Sequence, residues 1–403
     1  MFARVLKILA DHIAPMGIAR YLQRWAFAVA LAPAGLSLSC GSATSPSLGS
    51  GTNVVVATDT NDLSVVDPNQ AKVIGFISPI PRLKNRGAMS ADHTTFYLSA
   101  ELDDPSKELI AIDTRSLTIP WRVLITQLDQ QAQSDSIRVA IGGDIMAVTP
   151  DGTRLLLDAT EEAGDGFVVV DLHTHAVTAF DPLVQIIDLG TAAPSNVLPN
   201  GAILVAGVRQ IGPTLYTGLF YVLDGATLAV RDSVTVTPAT DDPTGGMQQV
   251  LASPDGQHAY VVGFQQFRYD LASQRMTDSV TTPSFGWLST SPDGNTLYRS
   301  DFGSFDTPGT GMLFVYGSNL APRTPINVSQ IAPSPSAEGQ PVVTGNVMSS
   351  IDGKLLYVAA GTPRLGGSGV FEPARLLVLD SQTDALVKSV SVRGFSPFVE
   401  FVR

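Results

Sequence analysis

An all-β fold, a seven-bladed β-propeller of four-stranded blades, is what this sequence predicts. Three observations carry that expectation. A turn-and-strand phrase returns along the chain, as "ASPDGQHAYVVG" from Ala252, "TSPDGNTLYRSD" from Thr290 and "SSIDGKLLYVAA" from Ser349. A second phrase, a strand, an acidic turn and another strand, occurs in seven copies. The first copy lacks a leading turn phrase, and the last is followed by a strand-like tail.

The turn phrase has three earlier copies: "MSADHTTFYLSA" at Met89, "VTPDGTRLLLDA" at Val148 and "VLPNGAILVAG" at Val197. Asp-Gly or Asn-Gly between apolar alternations is the strongest local hairpin signal, because Gly accepts positive φ without steric cost. The Pro two residues earlier ends the preceding strand, since it has no N–H for a ladder. In the second phrase, exemplified by "FVVVDLHTHAVTAF" and "LLVLDSQTDALVKSVSV", the turn begins at Asp67, Asp113, Asp171, Asp224, Asp270, Gly317 and Asp380. An Asp there caps its own turn by accepting a backbone N–H two residues on. Spacings of this size with four short strands each are the signature of propeller blades.

Strands are lettered a to d from the axis outward. Strand a precedes the Asp-Gly turn, b follows it, c ends at the acidic residue and d follows that. The first copy, "NVVVATDTNDLSVVDPNQAKVIGFI", supplies only b, c and d. The tail "GFSPFVEFVR" has the alternation of a strand a. The C-terminus is therefore expected to lend strand a to the first blade, which removes the open edges of an unclosed sheet.

Composition agrees. The 403 residues are 44% hydrophobic and 15% charged, with 36 Gly and 27 Pro, as suits a large core and many turns. A net charge of -12 disfavours nucleic acid as a partner, since a binder needs clustered Lys/Arg to displace phosphate counterions. One cysteine, Cys40, rules out an intramolecular disulfide and any multi-cysteine zinc site.

Residues 1–40 read as a leader. Arg20 and Arg24 precede the apolar run "WAFAVALAPAGL", which is too short to cross a membrane and meets the small residues "SLSC". Met16 is an alternative start. The end of the leader resembles a bacterial lipobox through Ser39 and Cys40, with Ser37 standing where that pattern usually has Leu. The resemblance implies lipidation of Cys40. Gly41 then stands where an Asp commonly signals inner-membrane retention, which favours the outer membrane. The alternative is a periplasmic or secreted protein. Residues 41–52 form a flexible Gly/Ser linker and 53–403 the propeller.

The phrases "SPDGxxxYV" and "vvDxxtxxvv" resemble the YVTN family of propellers, which lies near the quinoprotein amine dehydrogenase β-chain-like and lactonase-type propellers. The resemblance implies the fold over roughly 53–403. It implies no activity, because its motifs are turn and strand residues, and no catalytic residue of those families maps onto this chain.

Topology sends the a–b and c–d turns to one face and the b–c and d–a loops to the other, around the channel mouth. The long segments, among them "SPIPRLKNRG", "QLDQQAQSDSIRVAIGG", "TEEAGDG" and "GVRQIGPTLYTG", read as loops of the mouth face, where function concentrates. Their charges are candidate ligand-binding residues: Arg82, Lys84, Arg86, Glu161, Glu162, Asp165, Arg209, Asp241, Asp242, Asp301, Asp306 and Arg364. The bland alternative for each is a solvated rim. "EEAGDG" has oxygens for Ca²⁺ without the spacing of a known loop. His173 and His175 form His-x-His, but they fall in a c–d turn with no third ligand near in sequence, and read as an exposed hairpin. Phe285 and Trp287 lie where a d–a loop enters strand a and are candidates for the channel wall or the core. No nucleophile elbow and no phosphate-cradling loop is present.

The sequence thus points to an exported, lipid-anchored propeller that binds an unidentified protein, peptide or small polar ligand at its mouth. It implies no cofactor, no metal and no catalytic residue, and touches the membrane through the lipid alone. The alternative is a propeller enzyme, a lactonase-like hydrolase or a quinoprotein dehydrogenase-type subunit.

Overall fold

The computed structural model describes residues 55–58, 62–80, 87–101, 106–134, 137, 139–161, 164–181, 196–212, 214–235, 247–263, 265–281, 286–301, 310–333, 343–361, 374–392 and 399–402. The leader, Cys40 and the linker lie outside them. The described strands form seven antiparallel sheets, six of four strands and one of three. The three-stranded sheet is blade 4, with strands Ile203–Gly212, Leu215–Leu223 and Val230–Thr235. An isolated bridge between Val197 and Ile203 stands at the place of its strand a.

The expected closure is present. Val399–Val402 pairs with Val55–Thr58 in the register Val55 to Val402 and Val56 to Phe401, so blade 1 runs from the C-terminal strand outward through Leu63–Asp67 to Lys72–Ile77. The acidic residues end strand c as predicted, for example Asp113 in Lys107–Asp113 and Asp380 in Ala374–Asp380.

Packing explains why strands b and c read as nearly continuous apolar runs. Each blade is sandwiched between two others, so both faces of its inner strands are covered. Leu63–Asp67 is buried throughout, whereas the outer strand Val230–Thr235 alternates between exposed and half-buried. The apolar side chains sort into clusters that each span one seam. Phe96 and Leu98 of blade 2 meet Leu63 and Val65 of blade 1, and Tyr357 and Leu376 of blade 7 meet Val66 and Val399 of blade 1. Between blades 4 and 5, Phe220 meets Tyr269 edge-on, with ring centroids 5.1 Å apart. Each such side chain contributes about 1.5–3 kcal/mol on burial, so the seams hold the ring together.

The turns follow one recipe. In the a–b turn of blade 6, Ser291 Oγ donates to Asp293 Oδ1 at 2.5 Å and accepts the Thr296 N–H at 3.0 Å, and Gly294 has φ +72. Asp255 and Asp352 sit in the same frame with Ser253 and Ser350. The c–d turns add a feature the sequence does not mark. Ala71, Leu117, His175, Leu228, Gln274, Leu320 and Asp384 all have positive φ without being Gly. Left-handed backbone is unfavourable for such residues, and in six of the seven turns an aspartate ahead offsets it, the exception being the blade 6 turn, which begins at Gly317. Asp113 Oδ1 accepts from the N–H groups of Arg115 and Ser116 at 2.9 and 2.6 Å, and Asp224 from those of Ala226 and Thr227 at 2.9 and 2.7 Å.

Three expected loops are corrected. "QLDQQAQSDSIRVAIGG" begins within the helix Ile125–Ser134, which seats Ile125, Leu128 and Ala132 in the seam between blades 2 and 3. "TEEAGDG" is a hairpin, because Arg154–Glu161 and Gly164–Asp171 stay paired up to Glu161 and Gly164. "GVRQIGPTLYTG" is likewise hairpin, with Arg209 opposite Thr217. Extending a ladder pairs backbone groups that a loop would leave to solvent.

Candidate functional site

Strand direction alone places the b–c and d–a connections at one end of every blade, and this end is the mouth. Of the charges predicted for it, Asp301 is the one whose side chain is described. It is 1% exposed and faces inward. Its carboxylate accepts the Thr310 N–H at 2.6 Å and the Thr310 hydroxyl, and its own N–H donates to Thr344 Oγ1 of blade 7 at 2.8 Å. Asp301 therefore pins its b–c loop and joins blade 6 to blade 7; it is a bracing residue, not a solvent-facing rim charge. Glu161, Asp165 and Arg209 are placed through their backbones only. Arg82, Lys84, Arg86, Glu162, Asp241, Asp242, Asp306, Arg364 and Phe285 lie outside the described residues.

The structure brings another set of polar side chains to the mouth end of blades 5, 6 and 7. Gln249 stands near the start of strand a in blade 5 and grips the first residue of strand a in blade 6: its Oε1 accepts the Leu288 N–H at 2.9 Å, and its Nε2 donates to the Leu288 carbonyl at 3.2 Å. Asn346 of blade 7 does the same to the closing strand, with the Val399 N–H and carbonyl both at 2.7 Å. Trp287, the residue before Leu288, is half-buried and donates its backbone N–H to Ser300 Oγ at 2.9 Å. Gly286 ahead of it admits no side chain, because a Cβ there would lie 1.7 Å from the Ser300 carbonyl oxygen.

Two more members of this set project into the seam between blades 5 and 6. Arg299, on Thr296–Ser300, is fully buried. Burial pushes its guanidinium down to about 10, against the opposing pull of Tyr316 and Asp301. Gln266, at the start of strand c in blade 5, is 0% exposed, and neither atom of its amide has a hydrogen-bond partner among the described residues. The sequence did carry a signal for these residues. A Gln or Arg sits next to an apolar residue of an inner strand in "MQQVLA", "QQFRYD" and "TLYRS", and polar residues are rarely buried without a task.

The turn face is different in kind. Its carboxylates are absorbed by their own turns. The Thr227 N–H and Arg231 bring Asp224 down to about 2, and the Ser116 N–H holds Asp113 below the usual carboxylate range. His173 is exposed, as expected. His175 is not: it stacks on Trp121 of blade 2 with ring centroids 4.4 Å apart, so it is a packing residue. Among the described residues no group of three or more His, Cys, Asp or Glu is arranged to hold a metal ion, and no helix is long and apolar enough to cross a membrane.

No family model matches the chain, and no curated protein matches it. Solved structures do. A Bacteroides uniformis protein, whose assignment as a 6-phosphogluconolactonase is itself provisional, aligns over 87% of this chain and 99% of its own at 13% identity, with a TM-score of 0.52. A Desulfotomaculum acetoxidans protein of unknown function aligns over 86% and 98% at 12% identity, TM-score 0.51. The dihydro-heme d1 dehydrogenase NirN aligns over 87% and 75% at 14% identity, TM-score 0.48. Likeness at such identity speaks for architecture alone, and the chain is a β-propeller.

Proposed function

We propose that this chain is an extracytoplasmic binding module of the YVTN-like type, tethered to the outer membrane by a lipid on Cys40, that captures its partner at the mouth face. One observation supports this above others. The aspartates of the turn face are spent on the turns themselves, whereas the mouth end of blades 5 and 6 holds a buried guanidinium and an amide whose donor and acceptor are both unmet among the described residues. Desolvating such groups is costly unless something else repays it.

The test combines anchoring and capture. Cys40→Ser should move the protein from the membrane fraction to the soluble envelope fraction. Substituting Arg82, Lys84 and Arg86 together, or Glu161, Glu162 and Asp165 together, should weaken capture of the partner recovered from envelope extract while the melting temperature holds. An unmodified wild-type N-terminus in the soluble fraction rules out the anchor. Turnover of a lactone or an amine by the purified protein, lost on those same substitutions, replaces the binding module with an enzyme.

A further inference from the structure

The seam between blades 5 and 6 contains an amide that the fold does not use. Its orientation follows from alternation. Phe267 and Tyr269 belong to the cluster shared with blade 4, so Gln266 projects the other way, toward blade 6, beside its strand partner Val262. Leu297 packs in that same blade 5–6 cluster, so Arg299, two residues on, points back toward blade 5. Gln249 ties these two rows together through Leu288, the strand partner of Arg299.

Two amides at this end of the molecule already show what such a group does here. Gln249 and Asn346 each clasp one residue of extended backbone, taking its N–H on the side-chain oxygen and giving an N–H to its carbonyl. Gln266 offers the same donor and acceptor, is equally buried, and clasps nothing. Arg299, which projects into the same seam, lies within the field of the Asp301 carboxylate, so its charge is opposed there and attracts an anion less. A neutral group with its own adjacent donor and acceptor fits better.

We propose that Gln266 receives an amide group of the captured ligand, a carboxamide or a peptide unit entering from the mouth. Its carbonyl accepts from Gln266 Nε2 and its N–H donates to Gln266 Oε1. The inference rests on the mouth reading above for its access route.

The probes are N-acetylglycinamide and acetamide, each added up to about 100 mM, the range in which a few neutral hydrogen bonds give measurable occupancy. Binding to the folded state should raise the melting temperature of the intact protein. Gln266→Met keeps the length and volume of the side chain and removes its hydrogen bonds, so it should fold and bind the probe at least about tenfold more weakly. In isotope-labelled wild type, the Gln266 side-chain amide resonances should shift on titration, a readout that does not depend on the variant folding. A response to acetamide alone indicates a small carboxamide ligand; a response to the capped amino acid alone indicates a peptide. No shift with either probe, an equal response in Gln266→Met, or a crystal structure with the probe present in which ordered water alone occupies both amide atoms overturns the assignment. Loss of capture in the loop-charge variants alongside silent probes would sink this inference and leave the binding module standing. Probe binding without any captured partner would do the reverse.

Discussion

The turn face and the mouth face of this propeller are built from the same strands, yet the aspartates of one and the amides of the other are used in opposite ways. On the turn face a carboxylate reaches two or three residues along its own chain, as Asp171 does to the N–H groups of His173 and Thr174. On the mouth face an amide reaches a different blade, as Gln249 does to Leu288 and Asn346 to Val399. Local caps make each hairpin fold without reference to its neighbours. Long-range clasps fix how blades sit against one another, and they are the interactions that define a ring.

That contrast predicts where the molecule breaks most easily. Asn346→Leu removes both hydrogen bonds to Val399 and leaves its buried N–H and carbonyl without their partner. At about 1–3 kcal/mol for a buried polar group left unsatisfied, the expected loss is about 3 kcal/mol by urea unfolding. Because Val399 opens a four-residue terminal strand, its amide should also lose hydrogen-exchange protection before the strands of blades 2 to 6. A variant that unfolds at the wild-type urea concentration would show that the closing strand is held by its ladder to Val55–Thr58 alone.

Acid should expose the turn face. Ten turn carboxylates, at Asp92, Asp113, Asp151, Asp171, Asp224, Asp255, Asp270, Asp293, Asp352 and Asp380, lie below the ordinary range in the folded chain. A lowered carboxylate contributes stability above its unfolded value, about 3.9. That contribution is lost as the pH falls through the folded value, which is about 2 for Asp224. Glu108, Asp129, Asp181 and Asp384 act in the other direction, since burial raises them and protonation relieves them. Turn groups outnumber these, so the melting temperature should fall steeply below about pH 4. Asp224→Asn should flatten the drop between pH 4 and about 2. A melting temperature level down to pH 2 would mean that the turns form as well without charge.

The same contrast explains what could be read from the sequence. Hairpins are local, so Asp-Gly turns and acidic turns announced the blades, the strand order and even the closure by Val399–Val402. The seven positive-φ residues of the c–d turns were invisible because none is Gly; in six of these turns the aspartate ahead takes the role that a glycine usually reveals. At the mouth, charge drew attention to Asp301, which proved to be a brace, because a sequence does not distinguish a carboxylate aimed at solvent from one aimed at Thr310. Gln249, Gln266 and Asn346 passed unnoticed for a related reason. Their partners lie 39 and 53 residues away where they have them, and an uncharged amide within an apolar strand has no motif of its own.

The smallest effect sharpens the comparison within one turn. His173 and His175 share the c–d turn of blade 3, two residues apart and on the face assigned to self-contained caps. His173 is exposed and gives the fold only its backbone N–H, to Asp171. His175 carries φ +58 and stacks on Trp121, which itself packs near Tyr97 at 6.1 Å. His175 therefore reaches another blade through its ring, alongside Leu172 of the same turn, which packs in the seam between blades 2 and 3. His173→Ala should leave stability unchanged. His175→Ala should cost about 0.5–1.5 kcal/mol, the worth of an aromatic pair beyond its area, and should change the Trp121 fluorescence. His175→Phe keeps the stack and should recover most of the loss. Equal behaviour of the two alanine variants would mean that neither imidazole of this turn braces another blade, and that blades 2 and 3 are joined by the helix Ile125–Ser134 and their apolar seam.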